Sequence, residues 1–275
     1  MELKEAIIQR RSVRKFKSTP MIDRKENPMR KSLPPGEQPV LCFGDSLTFG
    51  TPGNTYLRYI HNRKQFINQG VDGDTLTGMT ERICPCLASP DTHEFIIGIG
   101  TNDLLLPHME CRSDQWTLAV SLMIKRGKVI LRDIESFTAA YASLLDQVTA
   151  AKKIATVFNM PCMGEDFDSE LNRQADTYNL VIKRLCQEHH IPYVDFKSWQ
   201  KQKIQRLGGH STYLLSEHPA DAIKDTFWTT WLPFTERVGR KRGLTATVDG
   251  VHLNRASARL LARLIEKARG TAPEG

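Results

Sequence analysis

Three residues near the two ends of the chain have the types that acyl transfer requires: Ser46 in "VLCFGDSLTFG", and Asp249 and His252 in "VDGVHLN". A serine hydroxyl becomes a nucleophile when a histidine takes its proton, and the histidine works best when a carboxylate fixes its tautomer and orientation. Asp249 and His252 stand three residues apart, so a single turn can bring carboxylate and imidazole to the same side. The carboxylate would then accept from Nδ1 and leave Nε2 to face Ser46. Two further stretches carry hydrogen-bond donors suited to a developing oxyanion. "NQGVDGDT" is a turn rich in glycine, with Gly70 and Gly73, and "GTND" contributes the Asn102 amide.

These groups act together only if the fold gathers them, and the apolar pattern says how. Five short runs read as strands: "PVLCF", "QFINQ", "EFIIGIG", "KIATVFN" and "IPYVDF". Helical patterns alternate with them, over Thr55 to Lys64, Thr75 to Ile83, Ile134 to Ala151, Ser169 to His189 and Arg255 to Ala268. In the last, Ala256, Leu260, Leu261, Leu264 and Ile265 share a face, Asn254 can cap the start, and Gly270 ends the helix. Strands apolar on both faces and separated by amphipathic helices bury best as a parallel sheet covered on both sides. Ser46, the glycine turn and Asn102 all follow such strands, at the carboxyl edge where functional loops of these sheets gather.

Taken with this pattern, the sequence resembles the SGNH hydrolases, also called GDSL esterases or lipases. Four signature blocks stand in order: "FGDSLTFG", "NQGVDGDT", "GTND" and "DGVH". The resemblance implies a flavodoxin-like, three-layer α/β/α sandwich on a five-stranded parallel sheet. It implies that Ser46 is the nucleophile, His252 the general base and acid, and Asp249 its orienter. Ser46 N–H, Gly73 N–H and the Asn102 amide would form the oxyanion hole. The implied reaction is hydrolysis of a small-molecule carboxylic ester through an acyl-enzyme, with no metal or organic cofactor. Acyl transfer to an alcohol differs only in the acceptor, and a ligand-binding module that keeps the fold without efficient turnover is the alternative from another class.

The loop polar residues Asp45, Asp103, Asn68 and Thr75 read as turn formers and braces, not as catalytic groups. Cys84-Pro85-Cys86 has no second pair at zinc-site spacing. His189 and His190 close a long helix, where a cation suits the helix dipole, while His210 and His218 have no partner motif and read as surface residues.

The remaining chain sets the domain plan. The 275 residues carry a net charge of +7, of which residues 1 to 39, with ten Lys or Arg against five Asp or Glu, supply +5. The body is therefore nearly neutral. "GRKRG" at 239 to 243 reads as a solvated basic loop, and no nucleic-acid partner is expected because no stacking aromatics interleave with the basic residues there. Residues 1–38 read as a basic extension and linker, and 39–275 as the hydrolase domain. Long connections run near 104–133 and 197–248, and the second, with Trp199, Phe227, Trp228, Trp231 and Phe234, has the length of a lid or binding loop, or of a connection whose aromatics simply pack. "MELKEAIIQRRSVRKFKSTP" resembles the opening of nitroreductase-family flavoproteins, where residues at the positions of Arg10, Ser12 and Arg14 meet the flavin phosphate. No flavin scaffold follows it, so no flavin is expected. The absence of a long apolar run, and six scattered cysteines in a chain too large to need stapling, read as a cytoplasmic protein with reduced thiols and no integral membrane association.

Overall fold

The computed structural model of the chain describes residues 38–271 save Pro233. The extension at 1–37, with its nitroreductase-like opening, lies outside the described residues. All five expected strands form: β1 (Val40–Gly44), β2 (Phe66–Gly70), β3 (Glu94–Gly98), β4 (Ile154–Phe158) and β5 (Tyr193–Val194). They pair in parallel in the order β2-β1-β3-β4-β5. This is the flavodoxin-like order, in which the direction of winding reverses beside β1 and loops open a crevice at the carboxyl edge.

Alternation along β1 builds the two sides of the sandwich. Leu41 and Phe43 join Phe95, Ile97, Ala155 and Val157 in one apolar cluster, together with Met79, Ile83, Tyr141, Leu145 and Ile182 from the covering helices. Val40 and Cys42 turn the other way, to Ile96, Phe158, Tyr56, Leu261 and Ile265. A period of two in the strand thus feeds both layers.

Ten α-helices form among the described residues: α1 (Ser46–Phe49), α2 (Leu76–Leu87), α3 (Thr101–Glu110), α4 (Asp114–Lys125), α5 (Ile134–Ala150), α6 (Glu170–Glu188), α7 (Phe196–Arg206), α8 (Asp221–Thr226), α9 (Thr235–Lys241) and α10 (Arg255–Ala268). In α10 the Asn254 side chain accepts from Ser257 N–H as expected, and Gly270 takes φ +69 beyond the end. Its buried stripe is rotated from the expected one: Ala258, Leu261, Ala262 and Ile265 face the sheet, and Ala256 is exposed. Small alanines let the helix lie close on the sheet, so the stripe with the smaller residues wins.

The helix expected over Thr55 to Lys64 is replaced by two 3-10 turns, Tyr56–Arg58 and Arg63–Gln65. Asn62 takes the left-handed conformation at φ +53 between them, which ends any continuous helix. The long connections are largely helical. Leu104 continues α3, which tolerates Pro107 inside it, and α4 follows. The second contains most of α7, then α8, a π turn at Phe227–Trp231, and α9. Hydrogen bonds tie it to the body: Gly53 N–H donates to Thr229 Oγ1 at 2.9 Å, and the Glu165 carboxylate accepts from Thr245 and Ala246 N–H at 2.7 to 3.0 Å. Trp199, Phe227, Trp228 and Phe234 are exposed and fill no core.

Candidate active site

Strand β1 delivers Ser46. Asp45, fully buried after Gly44, caps the single turn of α1 by accepting from Leu47 N–H at 2.9 Å, and Ser46 is the first residue of that turn. Gly50 closes the turn at φ +90, its N–H donating to the Ser46 carbonyl at 2.7 Å. The backbone is crowded here: a Cβ on Gly44 would run into Thr48 Oγ1 and the Gly98 carbonyl. From the edge strand β2, the Asn68 amide donates to the Thr48 carbonyl at 3.0 Å while its Oδ1 accepts from Gly70 N–H at 2.9 Å, so it braces both the Ser46 turn and the start of the glycine turn. Burial pushes the Asp45 carboxyl up to about 7, against the pull of the Leu47 N–H and the nearby His252.

The block at 249 to 252 is a tight loop just before α10. Thr247 and Leu253 pair as an antiparallel bridge, and Val248 N–H donates to the His252 carbonyl at 2.9 Å. Gly250 at φ +93 makes the corner. One Asp249 oxygen accepts from Val251 N–H at 3.1 Å and His252 N–H at 2.8 Å. The other lies 2.6 Å from His252 Nδ1, and His252 Nε2 lies 2.9 Å from Ser46 Oγ. Residues 206 positions apart in sequence are thus joined by one chain of hydrogen bonds. Burial disfavours both charges, yet the mutual attraction prevails: the Asp249 carboxyl is held below its ordinary range and the His252 imidazole above it.

The other two loops meet at the same edge. Gly73 takes φ +67 in the turn after β2, where a non-glycine residue would be strained. Asp74 N–H donates to the Val71 carbonyl at 3.1 Å and closes that turn. Asn102, buried in the first turn of α3, donates one amide N–H to the Asp74 carbonyl at 2.8 Å and keeps a second for another acceptor. Asp103, beside it, is a brace as its loop position suggested: Oδ2 accepts from Leu76 N–H at 2.8 Å and Oδ1 from Leu131 N–H at 3.1 Å. Thr75 caps α2 through Gly78 N–H.

Sequence reasoning missed two cations in this ring. Arg82 on α2 pairs with Asp74 and donates to the Gln69 carbonyl at 2.7 Å, so both sides of the glycine turn are gripped from the helix that follows it. Lys128 donates to the Gly73 carbonyl. Neither carries a motif, and only the folded geometry connects them to the turn. The remaining candidates lie elsewhere: His189 hydrogen-bonds Asp146 and the Leu185 carbonyl, His210 and His218 are exposed, and Cys84 donates to Gln147 Oε1. The six cysteines are free, and no helix among the described residues is long and apolar enough to cross a membrane.

No curated protein matches the chain. Among solved structures it is similar to Axe2, an acetylxylan esterase from Geobacillus stearothermophilus, at 16% identity and TM-score 0.54, over 87% of this chain and 98% of that one. A variant of Axe2 matches at 18% identity and TM-score 0.56, over 86% and 96%. LAE5, an alpha/beta hydrolase enzyme from the metagenome of Lake Arreo, Spain, matches at 16% and 0.55, over 85% and 95%. At such identities the likeness establishes the fold. The family itself is established by a family model, that of the GDSL-like Lipase/Acylhydrolase family, which matches residues 42–260. The chain belongs to this GDSL-like lipase/acylhydrolase family, the SGNH hydrolases of the sequence resemblance, and is a carboxylic ester hydrolase.

Proposed function

We propose that the chain cleaves short carboxylic esters through an acyl-enzyme on Ser46, with His252 as general base and acid and Asp249 as its orienting anion. The observation that carries this reading is the continuous path Asp249–His252–Ser46, with links of 2.6 and 2.9 Å. Asp249, held ionised, fixes the imidazole with Nδ1–H toward itself and Nε2 toward the hydroxyl. Ser46 Oγ attacks the ester carbonyl carbon while its proton passes to Nε2. The carbonyl oxygen becomes an oxyanion, received by Ser46 N–H, Gly73 N–H and the free N–H of Asn102. Collapse expels the alcohol, which leaves with the proton from Nε2. Water then gives a proton to Nε2 and attacks the acyl carbon, and collapse of the second tetrahedral adduct returns that proton to Ser46 as the acid departs.

Two observations favour a short acyl group. Ser46 is only 6% exposed, and the fold neighbour Axe2 is an acetylxylan esterase. The test is turnover of chromogenic esters of rising acyl length by wild type, Ser46→Ala and His252→Ala. The reading expects the shortest esters to be cleaved fastest and both variants to fall to background. Equal rates in all three proteins would contradict it.

A further inference from the structure

Lys128 comes from a part of the chain that carries none of the four family blocks. Helix α4 ends at Lys125, and Gly127, at φ +94 in open space, turns the chain back. Lys128 N–H donates to the Met123 carbonyl at 3.1 Å, and three residues on, Leu131 N–H is fastened to Asp103 Oδ1 at 3.1 Å. Between these anchors the Lys128 side chain crosses to the turn after β2. Its ammonium donates to the Gly73 carbonyl and lies 3.9 Å from where a Cβ on Gly73 would begin.

Gly73 is the most pliable residue in that turn, because no side chain restricts its φ and ψ. Its N–H belongs to the peptide before it and its carbonyl to the peptide after it, so holding the carbonyl restricts how the N–H can swing. The next carbonyl, that of Asp74, is held by Asn102 at 2.8 Å. Two successive carbonyls are therefore fixed by side chains from different elements. The ammonium also brings a full positive charge beside the turn, facing the carboxyls of Asp72 and Asp103. Burial raises Asp103 to about 6, and the Lys128 charge acts against that rise.

We propose that Lys128 is a positioning residue of the esterase site: it holds the Gly73 carbonyl so that Gly73 N–H meets the developing oxyanion, and its charge adds to the stabilisation there. This rests on the role given to Gly73 above. A group acting this way is felt in the transition state and not in ground-state binding.

The test compares wild type, Lys128→Met and Lys128→Arg on one short chromogenic ester, with thermal melting as the control for folding. A single oxyanion donor is worth about two to three powers of ten in rate, so Lys128→Met, acting through such a donor, should lower kcat by about tenfold to a hundredfold. KM and the melting temperature should hold, and Lys128→Arg should recover most of the loss. An unchanged kcat in Lys128→Met, a change confined to KM, or equal losses in both variants would overturn the proposal. Labelling of wild type with a fluorophosphonate separates this from the parent reading. If Ser46 is labelled in wild type and as fast in Lys128→Met, Lys128 alone is refuted; if wild type is not labelled at Ser46, the parent reading falls and Lys128 with it.

Discussion

At Asn102 a single amide group has two acceptors to serve. One N–H holds the Asp74 carbonyl at 2.8 Å in a buried setting, and in the proposed mechanism the other is offered to the oxyanion. Asn102→Ala should therefore lower kcat by about two to three powers of ten. It should also cost about 1 kcal/mol of stability, because a buried carbonyl loses its donor. Steady-state kinetics and a denaturant melt on the same preparation measure both. At His252 the Asp249 anion holds a proton on the imidazole, so the base form emerges at a higher pH than the ordinary 6.5. The acid limb of kcat/KM should have its midpoint above that value, and Asp249→Asn should move it down. The meeting of Ser46, Asp249 and His252 was legible because they sit in two short blocks of recognisable composition, one after a strand and one in a turn. Lys128 and Arg82 were not, since long side chains can reach a turn from many positions and nothing in the sequence ties them to Gly73 or Gln69.

The one-turn helix α1 puts an opposing demand on Asp45, which must accept from Leu47 N–H while fully buried. Its folded-state pKa of about 7 stands above the ordinary 3.8. A raised folded pKa means the stability contribution is full below 3.8 and is lost as pH climbs toward about 7. Asparagine offers the same cap acceptor without a charge. Asp45→Asn should therefore melt higher than wild type at about pH 8, with a smaller advantage at about pH 5; a pH-independent difference would count against buried ionisation. Elements with a clean period were legible in the same physical sense: α5, α6 and α10 appear within a residue of their expected bounds. The Thr55 to Lys64 segment misled because Tyr56, Leu57 and Ile60 have helical spacing, yet they are buried in the first short turn and the residues just after it, before Asn62 breaks the helical path. Helix α3 was hidden by its short length, its lack of a clean helical period and its internal proline.

Across the whole molecule, the parallel order of the sheet does what the alternation of strands and helices suggested: three strand ends and one distant loop converge on a single edge. The late segment is joined to that edge by Arg242, which grips Asp225 with two hydrogen bonds of 3.0 and 2.7 Å and donates to the Val248 carbonyl at 2.8 Å. Its guanidinium also lies over the Tyr213 ring, 4.7 Å from the centroid. Arg242→Ala would leave the buried Asp225 carboxylate without its partner and should cost about 3 kcal/mol in a denaturant melt. The length of this segment was visible in the sequence, but its anchoring was not, because Arg242 and Asp225 meet only through the turns between them. The central claim, that Ser46 carries the acyl group under the control of His252, is tested most directly by mass spectrometry of the protein quenched during turnover of a short activated ester. One acyl adduct is expected, on the peptide containing Ser46, absent from both Ser46→Ala and His252→Ala. An adduct on another residue, or steady turnover by Ser46→Ala, would contradict it.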